Sequence, residues 1–356
     1  MSVADVLENR ARWFVACGDA TDWLRTLPDD SVHCWVTSPP YYGLRDYGTA
    51  RWEGGDPACD HRRDTDAEGG CVAASTLRGA KDGQRAARAA RFASRACCAR
   101  CGAERADRQI GLEPTPAEYV ARVVEVFRDV RRATHPSGTV WLNLGDRYAT
   151  TGPGGGSPAL PGVKPKDLMG LPWRVAFALQ QDGWYLRQDL VWHKPNPVPS
   201  SVRDRCTTAH EYLFLLAKAP RYFFDARAVA EPARTARAGS GATANKRSVW
   251  TLAPDRYRGA HPAAFPRALV EPCVRAGTSA RGVCPACGEP WVRRTGWEPG
   301  CGCPPADPIP AVVGDVFAGS GTVAQVAVGH GRRFIGAELN PAYHRLIHRR
   351  LGAAEG

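Results

Sequence analysis

Residues 312–322 read VVGDVFAGSGT. An apolar strand runs into Asp315, then a Phe-Ala-Gly-Ser-Gly turn, then a helix from about Thr322. Glycines at a strand-to-helix turn let the backbone approach a ligand closely. Taken alone the turn also reads as an ordinary tight connection. The next apolar run, RRFIGAEL, ends its strand on Glu338. An acidic side chain about 20 residues beyond such a turn is placed to accept hydrogen bonds from a ribose diol. That pair occurs in nucleoside-cofactor folds generally and does not separate S-adenosylmethionine from NAD. The three-glycine dinucleotide fingerprint and a Walker lysine are missing, which argues against a bound pyrophosphate.

Outward from this segment, short apolar runs bounded by turn residues predict strands at Trp13–Cys17, Val32–Thr37, Gly138–Leu144, Leu186–Trp192, Tyr212–Ala217, Ala311–Phe317 and Phe334–Glu338. Helical patterns lie between them at Thr21–Leu27, Pro116–Arg132, Pro172–Gln181 and Pro341–Leu351, each opening near a Pro, Asp or Thr. Strands alternating with helices imply an α/β fold with a mainly parallel, seven-stranded sheet.

The second informative stretch is VTSPPY, residues 36–41, at the end of an apolar strand. Two prolines donate no hydrogen bonds and cannot continue a central strand. They predict a stiff turn at the carboxyl edge of the sheet, where α/β proteins place active sites. Backbone carbonyls point outward there, beside the Ser38 hydroxyl and the Tyr41 ring. This suits methylation of an exocyclic amine. Its lone pair is delocalised into the base, and acceptors for its two hydrogens favour the tetrahedral nitrogen that frees it. Ser38 and the Pro39 carbonyl can supply them, and an aromatic ring can stack on a base taken out of a duplex. Positioning for in-line attack is then the catalysis.

The chain has 356 residues, is 44% hydrophobic and carries a net charge of +11. The excess is mostly arginine, whose planar fork matches phosphate oxygens. No run approaches the ~20 apolar residues that span a bilayer. The amino-terminal MSVADVLENRARW lacks the apolar centre of a signal peptide, so the expectation is a cytoplasmic protein with no membrane partner.

In that compartment the 13 cysteines point to metal rather than disulfides. Cys59 and His61 with Cys98 and Cys101 form one four-ligand set, and Cys71 and Cys97 are alternative ligands. Cys284, Cys287, Cys301 and Cys303 form a second. In CARCG and CPACG a glycine follows the second cysteine, as in a zinc knuckle. Two structural zinc ions are expected, neither catalytic, because four protein ligands leave no open position.

With these motifs in view, the chain resembles the β-class amino DNA methyltransferases, in which the catalytic motif precedes the cofactor motif. Gly18–Gly48, Gly138–Asp146, Leu171–Arg205 and His261–Val270 (HPAAFPRALV) each resemble a block of that family, in order. The resemblance implies a circularly permuted Rossmann-like methyltransferase fold, into which the two small zinc-knuckle insertions read from the cysteine spacing are set. It implies S-adenosylmethionine as cofactor and double-stranded DNA as partner. Phe317, Gly319 and Gly321 would line the methionine end of the cofactor, with Asp315 near its amino group and Glu338 on the ribose. Asp19 would lie near the adenine. By the same resemblance Thr37, Ser320, Thr322 and Asn340 would belong to the same pocket, and Phe265 and Pro266 would help enclose it. Ser38, Pro39, Pro40 and Tyr41 would hold the target base. Val316 departs from the family, which usually has proline there. Serine before Pro-Pro-Tyr is more usual for cytosine N4, with adenine N6 as the alternative. Cys273 follows a proline as a cytosine-C5 nucleophile would, but its neighbours do not resemble that class, and it reads as a core residue.

The expected organisation is a catalytic half (1–50), a zinc-binding insertion with possible DNA contact (51–108), core (109–227), a basic loop for target recognition (228–258), a segment closing the cofactor pocket (259–283), a second zinc insertion (284–305) and the cofactor-binding half (306–356). A homodimer and a separately encoded restriction enzyme are candidate partners. Competing classes are a non-catalytic DNA-binding protein on the same fold and an RNA amino-methyltransferase.

Overall fold

A computed structural model describes residues 1–61, 98, 100–149, 163–197, 199–233, 242–254 and 265–352. Cys71, Cys97, residues 151–162 and the HPAA of the pocket-closing segment lie outside them. The chain divides into two units: Met1–Pro39, Val124–Gly145 and Val175–Gly356 form the first, Pro40–Val123 and Asp146–Arg174 the second.

In chain order the elements are α1 (Val3–Leu7), β1 (Trp13–Cys17), α2 (Ala20–Leu24), β2 (Val32–Thr37), β3 (Arg51–Glu53), β4 (Glu104–Ala106), α3 (Pro116–Ala133), β5 (Thr134–Leu144), α4 (Leu171–Gln181), β6 (Tyr185–His193) and β7 (His210–Ala217). After a 3-10 turn at Ala226–Val229 come β8 (Glu231–Pro232), β9 (Thr243–Ala244), β10 (Val249–Thr251), α5 (Arg267–Gly277), β11 (Val292–Arg293), β12 (Trp297–Glu298), β13 (Val312–Asp315), α6 (Thr322–Gly329), β14 (Arg333–Glu338) and α7 (Pro341–Gly352).

The first unit holds an eight-stranded sheet in the order β1-β14-β13-β2-β5-β7-β6-β10. All its pairings are parallel except those of β7, which runs against both neighbours. The seven expected strands are all in it. The eighth, β10, corrects the expected number. It has three residues beside a basic loop, too few for a periodicity to register.

Strands β2, β13 and β14 are buried along their whole length, as parallel strands covered on both faces must be. On one face, α5 lies on β2 and β5, and α6 on β13 and β14. Cys34, Val36, Trp141, Val313 and Phe334 join Leu269, Cys273, Val274 and Val323 in one apolar cluster there. Cys273 is fully buried, in keeping with a core residue. On the other face Trp35 meets Trp23 edge-to-face at 6.4 Å.

Strand β5 starts four residues before the expected Gly138 because its first turn is a bulge. Val32 pairs with Thr134 but Cys34 with Thr139. The extra residues contain Pro136 and Gly138, which read locally as a loop. A Cβ on Gly138 would meet the His135 carbonyl at 2.9 Å, so glycine is needed for the bulge to close. Strand β13 ends at Asp315 rather than Phe317. The Asp315 carboxylate takes the Phe317 amide at 3.0 Å and turns the chain.

In the second unit, β3 and β4 form an antiparallel pair. Tyr42 donates to the Pro114 carbonyl at 3.1 Å and lies 5.7 Å from the buried Tyr119 ring. Among the described residues, no helix is long and apolar enough to cross a membrane.

Gly314 fixes how closely β13 and β2 approach. A Cβ there would lie 2.3 Å from the Trp35 ring. Gly314→Ala should therefore lower unfolding stability by about 1–3 kcal/mol, the usual cost of overpacking. Urea denaturation should show a lower midpoint at unchanged slope.

Candidate active site and cysteine clusters

Strand order places the carboxyl ends of β1, β14, β13 and β2 side by side. Each ends in a polar residue named from the sequence: Asp19 just past β1, Glu338 on β14, Asp315 on β13 and Thr37 on β2. The Thr37 hydroxyl donates to Asp315 Oδ1 at 2.7 Å, and both residues are buried. The segment that opens the proline loop and the segment that opens the glycine turn are thus hydrogen-bonded to each other.

The glycine turn wraps around two carboxylates. Asp315 Oδ1 also accepts the Phe317 amide. Glu338 Oε2 accepts the Gly319 amide at 2.7 Å, and Oε1 accepts the Asn340 amide at 2.8 Å. Gly319 and Gly321 both have positive φ, at 54° and 78°. A Cβ on Gly321 would meet the Ile347 side chain at 2.9 Å, so this glycine lets α7 close under the turn. Ser320 and Thr322 are buried with their hydroxyls 3.4 Å apart. Val316 is buried, and the turn forms without proline.

Burial pushes the Asp315 carboxyl up to about 7 against its two hydrogen bonds, and the Glu338 charge adds to the rise. Burial likewise pushes Glu338 up to about 7 against the Asn340 and Gly319 amides. Two acids poised near neutrality in one polar turn suit a ligand that brings a cation and hydroxyl donors. A carboxylate has about four lone-pair sites, so the backbone bonds leave Glu338 able to accept more.

The remaining named residues fall in different places. Asp19 caps α2, its Oδ1 accepting the Thr21 and Asp22 amides at 2.9 and 3.1 Å. Asn340 Oδ1 accepts the Ala342 amide at 2.8 Å at the start of α7. Pro266 is the N-cap of α5, and Phe265 packs on the core cluster. Ser38 is half-buried and Pro39 buried, at the end of the first unit. Pro40 and Tyr41 open the second. The Tyr41 carbonyl accepts the Leu44 amide at 3.3 Å, so it is not among the outward-facing carbonyls expected of this loop. Gly111, at φ 98°, lies under the loop, where a Cβ would meet the Tyr41 carbonyl at 2.9 Å.

A family model described as DNA methylase (N6_N4_Mtase) matches residues 32–349. The chain belongs to this DNA methylase family. The family match bears out the amino DNA methyltransferase resemblance read from the sequence. The methylase is 36% identical over 348 residues to the Type II methyltransferase M.XycI of Xanthomonas campestris pv. cyanopsidis, covering 94% of this chain and 86% of that one. It is 34% identical over 351 residues to the Type II methyltransferase M.SmaI of Serratia marcescens, covering 95% and 90%. In fold it is similar to the PvuII DNA methyltransferase (cytosine-N4-specific), with a TM-score of 0.56 at 17% identity over 96% of this chain and 86% of that one.

The methylase brings both expected cysteine sets together. In each, the four candidate ligand atoms lie within 4.8 Å of one another. The two turns share one backbone pattern. Gly102 donates to the Cys98 carbonyl at 2.8 Å and Cys98 to the Ala103 carbonyl at 2.7 Å. Gly288 donates to the Cys284 carbonyl, and Cys284 to the Glu289 carbonyl, both at 2.9 Å. Cys101 Sγ lies 3.3 Å from His61 Nδ1, and the His61 ring stacks on Trp52 at 5.3 Å. A Cβ on Gly55 would lie 2.7 Å from Cys101 Sγ. Thiolate-rich donors at this spacing fit a tetrahedral metal.

Two histidines that the sequence reading passed over tie the second cluster to the amino-terminal edge of the sheet. Val312 donates its amide to His33 Nδ1 at 3.1 Å, so the proton sits on Nε2, which donates to the Gly288 carbonyl at 3.0 Å. The Ser137 amide reaches His135 Nδ1 at 3.2 Å, and Nε2 donates to the Cys287 carbonyl at 3.1 Å. The rings stack at 5.1 Å. Burial, then the neighbouring His135, pushes His33 down to about 3, so it stays neutral. The available signal was a histidine at the head of each of two buried strands. A polar row at the other edge was also missed: Glu211 takes Lys194 and, at 3.3 Å, the Asn143 amide.

Asp315 and Glu338 sit above the ordinary carboxyl value near 4. A raised folded-state value gives stability that is complete below about pH 4 and lost as pH rises through about 7. Asp315→Asn removes one such group. Without added ligand, wild type should lose up to a few kcal/mol relative to Asp315→Asn between pH 5 and pH 8. Thermal denaturation at both values checks this, and a constant difference would contradict it.

Proposed function

We propose that this DNA methylase is a Type II modification enzyme that methylates the exocyclic N4 of cytosine in double-stranded DNA. The observation that carries the reading is the Thr37–Asp315 hydrogen bond, which joins the loop for the base to the turn for the cofactor. The cytosine assignment is supported by Ser38 before Pro-Pro-Tyr and by a fold likeness to a cytosine-N4-specific enzyme.

S-adenosylmethionine would supply a methyl group activated on a sulfonium sulfur. Asp315 would face its ammonium, Glu338 its ribose hydroxyls and Asp19 its adenine. Phe317, Gly319, Ser320, Gly321 and Thr322 would form the turn beneath it, with Thr37, Asn340, Phe265 and Pro266 completing the enclosure. Ser38 and the Pro39 carbonyl accept the two amino hydrogens of a flipped-out cytosine. Pro40 stiffens the loop, and Tyr41 stacks on the ring. Ser38 and the Pro39 carbonyl would also be placed to receive the proton that the amino nitrogen sheds when it takes the methyl group and the sulfonium sulfur leaves as a neutral thioether. The module within 51–108 and the loop within 228–258 contact the DNA around the target. Cys59, His61, Cys98 and Cys101 hold one structural zinc, and Cys284, Cys287, Cys301 and Cys303 another.

Expression in a methylation-free host, followed by nucleoside mass spectrometry, should yield N4-methylcytosine. N6-methyladenine would reassign the base, and neither product would sink the reading. Ser38→Ala should lower kcat by about 10- to 100-fold, the worth of one hydrogen bond to a group gaining charge, with cofactor affinity unchanged by calorimetry.

Plasma mass spectrometry of the purified protein should find two zinc ions per chain. Cys98→Ser/Cys101→Ser and Cys284→Ser/Cys287→Ser should each leave one. The second variant should also lower the unfolding midpoint of the sheet, because His33 and His135 are bonded to that turn.

A further inference from the structure

The amino-terminal edge of the sheet carries a surface for which methyl transfer has no use. A cavity of about 470 Å³ opens there, with Ser137, Arg221, Tyr222, Phe224, Arg227 and Arg293 in its lining. Ser137 belongs to the β5 bulge, at the opposite end of the sheet from Thr37 and Asp315. The six residues of β2 alone separate those ends by roughly 16 Å.

Guanidinium groups and aromatic rings alternate over this face. Arg293 lies over Trp297 at 4.4 Å, and Arg187 over Tyr222 and Arg281 over Trp291 at 5.6 Å each. A ring beneath a guanidinium fixes its plane and leaves its N–H groups directed outward. Arg221 and Arg281 are exposed, and neither has an ion-pair partner among the described residues. Arg227 spends one N–H on the Arg294 carbonyl at 3.3 Å. Of the nearby acids, Asp225 is buried and paired with Arg293 at 3.3 Å, Glu298 pairs with Arg294 at 3.5 Å, and the half-buried Glu289 lines the cavity without an ion pair among the described residues, one acid set against the guanidiniums of Arg221, Arg227 and Arg281. Phe224 is 40% exposed beside them. The face is a cationic strip with aromatic floors, hung on the second cysteine cluster.

We propose that this face is a second DNA-binding surface, which grips the phosphate backbone of a stretch of duplex other than the one presenting the target base. A duplex carries one negative charge per about 1.7 Å, so a strip of outward guanidiniums meets phosphates wherever it lands, without reading sequence. Such a grip holds the enzyme on long DNA while the catalytic edge searches. It rests on the proposed activity only in taking DNA as the polyanion.

The test is fluorescence anisotropy of a labelled 12-base-pair random-sequence duplex, titrated into wild type and Arg221→Gln/Arg281→Gln over a range of salt. Wild type should bind two duplexes per chain and the variant one. In the variant the affinity of this second site should fall at least tenfold near 0.1 M salt, out of the titrated range. The log–log salt slope should shrink by about 2, since each lost phosphate contact removes about 0.9. Methyl transfer to saturating unmethylated genomic DNA should stay within twofold of wild type, and melting temperature within a few degrees. Unchanged stoichiometry and salt slope would overturn the proposal. So would a poly-glutamate probe that binds wild type tightly, is lost in the variant and fails to compete with DNA, because the face would then serve an acidic protein. Absence of methylation by wild type with the binding difference intact would sink the activity and leave this surface standing.

Discussion

The hydrogen bond from the Thr37 hydroxyl to the Asp315 carboxylate joins two neighbouring central strands at their carboxyl ends. The rest of the site is arranged around it. It needs β2 and β13 in parallel register with Val313 beside Cys34 and Gly314 beside Trp35. That register needs glycine at 314, because the Trp35 ring occupies the space of a Cβ. Once the strands are set, the Asp315 carboxylate bends the chain through the Phe317 amide, and Glu338 on the next strand collects the amides of Gly319 and Asn340. One buried acid begins the turn and another closes it.

This arrangement has an electrostatic cost. Two carboxyls are held out of water with backbone amides and a hydroxyl as partners, and neither faces a described cation within hydrogen-bond reach. Burial outweighs those bonds and leaves both groups near neutrality in their titration. A site of this kind is completed by a ligand that brings positive charge and hydroxyl hydrogens, which is the chemistry proposed for the cofactor.

The opposite edge is organised by a different device. His33 and His135 are neutral, stacked and bonded through Nε2 to the carbonyls of a cysteine turn. They stand at the heads of β2 and β5, and the His33 Nδ1 takes the first amide of β13. The second cluster thus fastens the starts of three central strands whose other ends carry the site or adjoin it. The first cluster lies in the second unit, where the same backbone turn is braced by Trp52 and by the close approach of Gly55.

Much of this was legible along the chain. Apolar runs of five to seven residues between turn signals marked all the strands of the sheet but the short β10, and in β2, β13 and β14 burial on both faces leaves little room for polar residues. The spacing of Asp315, the glycines and Glu338 marked one connected turn, since it is local in sequence and its bonds are nearly all to backbone. Cysteine spacing marked both clusters for the same reason. What the sequence could not determine was non-local. Strand order put Thr37 against Asp315 across 278 positions. The eighth strand, the bulge containing Pro136 and Gly138, and the histidine clasp on the second cluster arise from pairing partners far away in the chain. A local pattern records what each segment can do, and only packing of distant segments decides which groups share a hydrogen bond.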